Sequence, residues 1–389
     1  MTAFDVIVVG AGPAGLALAR GLAGSGLTVA LIERLAEAEL AAPAFDGREI
    51  ALTHRSVEAL RGLGAWAHVA PDEVAPLRAA RVLNGGSPFA LDFDTAGTSD
   101  AQLGWLVPNH AIRRALYAAA QGQPGLTLIC GAQVAQASAA GAPAVVLADG
   151  RRLMGRLLVA ADSRFSAVRD QLGIAARINR LGRSMLVARV GHTRPHDGIA
   201  TEWFDHGQTM AMLPLNGDVS GAVLTLPSAA IAQLAALPPA ALGAELTRRY
   251  QGRLGAMEVI AGPHVYPLAT TWSAHFAAPG AALIGDAAVG MHPVTAQGFN
   301  LGLASACRLA ELVSAAAARG GDIAAPWLLR RYEARHRLAA LPVYEATNLL
   351  VSLYITEHPA ARAARFAALR AAARLPLVSQ GVSRLLLRR

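Results

Sequence analysis

Residues 5–9, "DVIVV", form an apolar run short enough for a buried strand; apolar positions then recur with a helical period over 13–24, and "TVALIE" returns to an apolar run ending on Glu33. Strand, helix and strand in such close succession predict a βαβ unit with parallel strands. Between about 173 and 268 the texture changes: "SMLVARV", "ATEWF", "QTMAMLPL" and "VSGAVLTL" read as strands separated by Gly, Pro, Asn and Asp turns. A helix at "LPPAALGAELTRRY" and a returning strand near "VYPL" follow. Farther on, the apolar "AALIG" breaks at Gly285 and Asp286 and yields to a small-residue helix opening at Gly298. The remainder, 326–389, is helical in texture.

These patterns predict an α/β chain whose second lobe is α+β. A discontinuous first lobe, built around the βαβ unit, takes 1–74, 101–172 and 269–325, a sheet-rich lobe takes 75–100 and 173–268, and a helical region takes 326–389. A chain of 389 residues, 53% hydrophobic, can bury one large core or two linked ones, so a folded chain rather than a disordered one is expected. Charge is lopsided: 35 basic against 27 acidic residues give +8, and every basic residue is arginine. Aromatics are only 5% and no basic run is interleaved with them, which argues against a nucleic-acid partner. The apolar N-terminus lacks a basic leader and a cleavage site, and no apolar stretch is long enough to span a bilayer; a cytoplasmic protein is expected. Cys130 and Cys307 are too few and too far apart for a disulfide framework or a metal knuckle, and read as core thiols; no metal site is expected. From His358 onward there are seven arginines and no acid, beside "LPLV" and "LLL". Such a tail suits the inner face of an anionic membrane or a protein partner, and equally a solvated end.

The chemistry concentrates at two places. Gly10, Gly12 and Gly15, with Pro13 and Ala14 between them, form GxGxxG where the first strand meets its helix. Gly10 permits the tight turn, Gly12 lets backbone approach a pyrophosphate, and Gly15 lets helix and strand pack closely. The phosphate charge would meet the helix's free amides, and Glu33, followed by Arg34, stands where a carboxylate accepts hydrogen bonds from a ribose. At the second place, Asp286 ends a strand, Pro293 stiffens the next turn, and Gly298, Phe299 and Asn300 open a helix whose amides face the same crevice. A nicotinamide dehydrogenase and a flavoprotein both use the first fingerprint.

The paired segments "VVGAGPAGLALARGLAGSGLTVALIER" and "LIGDAAVGMHPVTAQGFNLGL", with "LLVAADSRFSAVRDQLGI" between them, resemble the single-component FAD aromatic hydroxylases of the p-hydroxybenzoate hydroxylase type. "FDGREIALTHRSVEALRGLGAW" is most similar to the ubiquinone-biosynthesis ring hydroxylases, and the resemblance spans nearly the whole chain. It implies a Rossmann-like FAD-binding domain, a β-sheet substrate domain and C-terminal helices. It also implies FAD as cofactor, NAD(P)H as a transient co-substrate, and hydroxylation of a prenylated phenol or quinol by oxygen activated at the flavin C4a position. By the same resemblance Arg48 lies beside the flavin, the helix "AIRRALYAAA", capped by Asn109 and carrying Arg113, abuts it, and Asp162 sits on its side of the middle motif. That motif has Ser163 in place of the usual glycine, and Ala296 and Val289 also depart from the pattern. His54, Tyr266 and His292 are the candidates for a catalytic base. Other quinone-biosynthesis proteins are candidate partners for the tail. A related reductase or halogenase, and a non-catalytic flavin-binding assembly subunit, are the alternatives; the lysine usual in such halogenases is absent.

Overall fold

The computed structural model describes residues 2–355 apart from 87–89, 97–99 and 206, so the arginine-rich tail lies outside the described residues. A six-stranded sheet carries the N-terminal unit in the order Ala277–Ala278, Ala281–Leu283, Leu157–Ala160, Val6–Val9, Val29–Ile32 and Leu126–Ile129. All its pairings are parallel except that between the first two strands. Val6–Val9 is covered on both faces, which is why it reads as an unbroken apolar run rather than an alternating one. The helix Pro13–Gly21 packs on this sheet and against the long helix Gly298–Ala317. Gly21 allows that approach, because a β-carbon there would lie 2.8 Å from the Ala310 Cβ.

An eight-stranded sheet forms the second lobe, in the order Val289–Gly290, Met257–Ser273, Ala176–His192, Val219–Pro227, Gln208–Pro214, Ile199–Asp205, Ala79–Asn84 and Ala90–Phe93. Its helices Ser228–Ala235 and Pro239–Arg249 cover one face, where Leu186, Trp203, Met210, Met212 and Leu224 meet Leu242 and Leu246 in a second core. Period-two alternation sends the intervening residues to the other face. That face turns toward the nucleotide lobe: Arg189 Nε donates to Glu49 at 2.8 Å, and a β-carbon on Gly47 would touch Val187 and His264.

Some details depart from the sequence pattern. The strand Met257–Ser273 runs unbroken through the expected boundary at 268. Ala75–Leu77 pairs with Gly104–Pro108 in a small sheet that also holds Glu49–Leu52, whereas Ala79–Asn84 and Ala90–Phe93 join the large sheet. The helix Ser228–Ala235 went unread because its run of small residues carries little periodic contrast. The last described helix, Pro326–Ile355, contains Pro342 and packs Tyr332, His336 and Tyr344 against the nucleotide lobe. Among the described residues no helix is long and apolar enough to cross a membrane.

Candidate active site

Four adjacent strands end at one crevice. Val6–Val9 leads into Gly10, Val29–Ile32 into Glu33, Leu157–Ala160 into Ala161 and Asp162, and Ala281–Leu283 into Gly285 and Asp286. The carboxyl edge of an open parallel sheet is where ligands of such folds bind.

The three fingerprint glycines are distinct in what surrounds them. Gly10 takes φ +106°, and a β-carbon on it would lie 2.5 Å from the Ala161 carbonyl oxygen. One on Gly15 would lie 1.9 Å from the Gly10 oxygen, so helix and turn can pack only without side chains there. Gly12 has nothing within 4 Å of that position; its face is open. Glu33 accepts hydrogen bonds from the amides of Ala11 at 2.8 Å and Leu35 at 3.0 Å, holding the turn against the second strand. Arg34 is exposed beside it. The third motif, that of Asp286, closes on the opening glycine turn: Gly285, at φ +59°, would bring a β-carbon to 2.9 Å from Ala14 Cβ, and its amide donates to Ser305 Oγ at 3.0 Å.

Asp286 is held by a residue the sequence reading passed over. Arg164 donates to Asp286 Oδ2 through Nη2 at 2.8 Å and Nε at 3.2 Å, and through Nη1 to the Ala269 carbonyl at 3.0 Å. Arg164 lies two residues beyond Asp162, and the motif's spacing was the available signal. Asp162 receives the Val168 amide on Oδ2 at 3.4 Å while its Oδ1 is buried with no protein partner. Arg169 is fully buried and bonds the Arg164 and Ala287 carbonyls, tying the middle motif to the third.

Arg48 pairs with Asp46 at 2.6 Å and lies over the Tyr266 ring, whose hydroxyl donates to the Asp46 carbonyl at 2.7 Å. Arg48 beside it holds the Asp46 carboxyl below its ordinary range despite burial, and burial pushes the Tyr266 phenol up. Asn109 is not the cap expected: Pro108 occupies that position, and Asn109 Nδ2 instead donates to Asp46 at 2.7 Å. Arg113, one turn into the same helix, is partly exposed and makes no ion pair among the described residues.

Pro293 is exposed and opens a single 3-10 turn, and Gly298 begins the long helix with open space at its Cβ position. Phe299 packs against the nucleotide-lobe core. The Asn300 side chain faces inward: it donates to the Ala51 and Ala296 carbonyls and accepts from the Thr53 amide and Ser56 hydroxyl. Its side chain is therefore committed to the fold, and only its backbone is left for a ligand. His54 is likewise occupied, with Nε2 2.9 Å from the Gln102 carbonyl and its ring against Trp105. His292 Nδ1 accepts from the Val294 amide at 3.2 Å, which leaves the ring proton on Nε2; burial pushes its pKa down to about 4, so the ring is neutral near pH 7. The structure thus gathers Tyr266 with Arg48, places His292 at the third motif, and holds His54 by its own carbonyl contact.

The crevice fits FAD. Its open Gly12 face and free helix-terminal amides suit the pyrophosphate, Glu33 suits the ribose, and the unpartnered Asp162 Oδ1 is a buried acceptor facing no protein donor. Residues 3–347 match the family model described as FAD binding domain. The chain is 44% identical over 377 residues to ubiquinone hydroxylase UbiM of Neisseria meningitidis, covering 96% of this chain and 82% of the relative. It is 30% identical over 373 residues to 3-demethoxyubiquinol 3-hydroxylase of Escherichia coli, covering 95% of each. In fold it is similar to p-nitrophenol 4-monooxygenase PnpA of Pseudomonas putida, with TM-score 0.78 at 18% identity and full coverage of both chains. The chain belongs to the FAD-dependent aromatic-ring hydroxylases of ubiquinone biosynthesis.

Proposed function

We propose that this protein hydroxylates the ring of a prenylated phenol or quinol on the way to ubiquinone, using NAD(P)H and dioxygen. The observation that carries the reading is the closure of the Asp286 motif onto the opening glycine turn through Gly285 and Ala14, at the edge of a crevice that also faces the large sheet. The names of the curated relatives, a ubiquinone hydroxylase and a demethoxyubiquinol hydroxylase, support the substrate class. Bound FAD supplies hydride acceptance and the activation of dioxygen for inserting one oxygen atom into the ring.

The chain's own residues bind and orient. Gly10, Gly12, Pro13, Ala14 and Gly15 receive the pyrophosphate, and Glu33 with Arg34 receives the adenosine end. Asp286, whose second carboxylate oxygen is not engaged by Arg164, accepts from the flavin's ribityl chain, while Asp162, Arg48, Arg113, Pro293 and the opening amides of the Gly298 helix border the ring system. We assign the large-sheet lobe, 75–100 and 173–268, to the substrate. Where that sheet meets the third motif and the last helix, Arg183, Phe204, Thr225, His292, Val294 and Val351 line a narrow, mixed cavity. Its apolar members close that end of the sheet against water. The arginine-rich tail beyond residue 355 is assigned to the cytoplasmic face of an anionic membrane, where a prenylated substrate resides.

The test uses purified full-length protein. It should be yellow, oxidise NADH or NADPH faster when a prenylated phenol is present, and yield a product heavier by one oxygen atom. Deletion of the gene should cause the unhydroxylated precursor to accumulate. Colourless protein that takes up no FAD, or unchanged quinone content in a host with no redundant hydroxylase, removes the assignment.

A further inference from the structure

Glu202 lies in the strand Ile199–Asp205, between Thr201 and Trp203, and strand register fixes the face it occupies. Trp203 pairs with Met210, and Thr201 with Met212, on the face covered by the two helices. Glu202 pairs with Ala211 on one side and Val82 on the other, on the face turned to the nucleotide lobe. Across the sheet the same row continues through Val223 and Val187 to His264. A single carboxyl is therefore set in an aliphatic wall.

The rows beside it are covered. On one side Glu49 reaches Arg189 and crowds Gly221; on the other, Phe204 and Thr225 meet His292 and Val294 of the third motif. Glu202 stands in the row between these two coverings. It makes no hydrogen bond and no ion pair among the described residues. It is only partly exposed, and burial by the surrounding protein pushes its pKa up to about 8. It is not among the residues assigned to FAD, and burying an unpartnered carboxyl costs stability unless a ligand completes its hydrogen bonds.

We propose that Glu202 is a substrate-contact residue whose carboxyl exchanges hydrogen bonds with the phenolic hydroxyl of the ring to be oxygenated. This rests on the hydroxylase reading of the preceding section. A protonated carboxyl offers one donor and one acceptor, matching a phenol, which also has one of each. An aryl methyl ether of the same shape keeps the acceptor and loses the donor, leaving the Glu202 carbonyl oxygen unpaired; sites built on such a contact discriminate strongly.

The experiment uses FAD-loaded full-length protein and two probes, 2-geranylphenol and its O-methyl ether, titrated while the visible absorption of bound FAD is recorded. Wild type should bind the phenol at least about tenfold more tightly than the ether. Glu202→Leu should bind the two within about twofold of one another, and Glu202→Gln, whose amide both donates and accepts, should restore most of the preference. FAD content reports that each variant is folded. Preference for the phenol retained in Glu202→Leu overturns the proposal, as does wild type that holds FAD yet does not distinguish the probes; in both cases the flavin reading stands. Wild type that takes up no FAD overturns that reading, and this assignment with it.

Discussion

Gly12→Ala separates the fold of the glycine turn from its function, because the two should move in opposite directions. Gly12 has φ −68° and ψ 178°, a conformation alanine adopts without strain, and no atom lies within 4 Å of the new β-carbon. In the FAD-free protein the substitution should therefore stabilise, by about 0.4–1 kcal/mol, through reduced freedom of the unfolded chain. With FAD the same methyl stands where backbone must approach the pyrophosphate. Losing one charge-assisted hydrogen bond there costs about 1.5–3 kcal/mol, or roughly 10- to 150-fold in Kd. Gly15→Ala is the contrast: its β-carbon would sit 1.9 Å from the Gly10 oxygen, and Gly10 cannot recoil because it already abuts Ala161. That variant should lose about 1–3 kcal/mol or more without FAD. Urea denaturation of the FAD-free proteins and quenching of flavin fluorescence on binding measure the two quantities. Wild-type FAD affinity in Gly12→Ala would show that no phosphate approaches this turn.

Asp286→Ala removes a partly exposed pair with Arg164, so stability should fall by less than about 1 kcal/mol while FAD affinity drops at least tenfold; equal FAD affinity would detach Asp286 from the cofactor. Asn300→Leu leaves Thr53, Ser56 and Ala51 without their buried partner and should cost about 3 kcal/mol or more by urea denaturation, where a loss below about 1 kcal/mol would mean the network is not formed. Burial pushes His336 down to about 3, so the unfolded chain takes up this proton first: the ring's contribution is constant above about pH 6.5 and declines as pH falls from there toward 3. By pH 5 it should have cost about 2 kcal/mol. Glu202, raised to about 8, works in the opposite direction over the same interval, so the quantity to measure is the difference between wild type and His336→Gln at pH 7.5 and pH 5. Parallel pH profiles would contradict a buried neutral imidazole.

What the sequence made legible was whatever depends on neighbours in the chain. The Gly10 turn, the helix behind it and the strand ending at Glu33 follow from local periodicity and from three positions that exclude a side chain. The large sheet was legible as strands because alternation survives in each short run. Side-chain partners were another matter. Arg164 reaches Asp286 across 122 positions, and Asn109 reaches Asp46 across 63. Asn109 looked like a helix cap because asparagine is a good one, but Pro108 takes that position and Asn109, buried in the first turn, turns its amide to the Asp46 carboxylate, a charged acceptor. Asn300 opens a helix, as expected, and its side chain then turns away to join segments 247 residues apart.

Glu202 shows the limit most sharply. Alternation in "ATEWF" tells that Glu202 and Trp203 point to opposite sides, but tryptophan, the apolar residue, could have faced either lobe, since both faces of this sheet are covered. Only the register against Met210 and Met212, and those residues' contact with the two helices, decides it. The same register that makes one face an ordinary core leaves the other lined by Val82, Ala211 and Val223 around one carboxyl, opposite the crevice where four strands end. Both faces of the sheet are covered, so a carboxyl in this row meets little water. An aliphatic residue like its neighbours would cost less to bury here than Glu202 does, and a ligand that arrives with a hydroxyl offsets that cost by completing the carboxyl's hydrogen bonds.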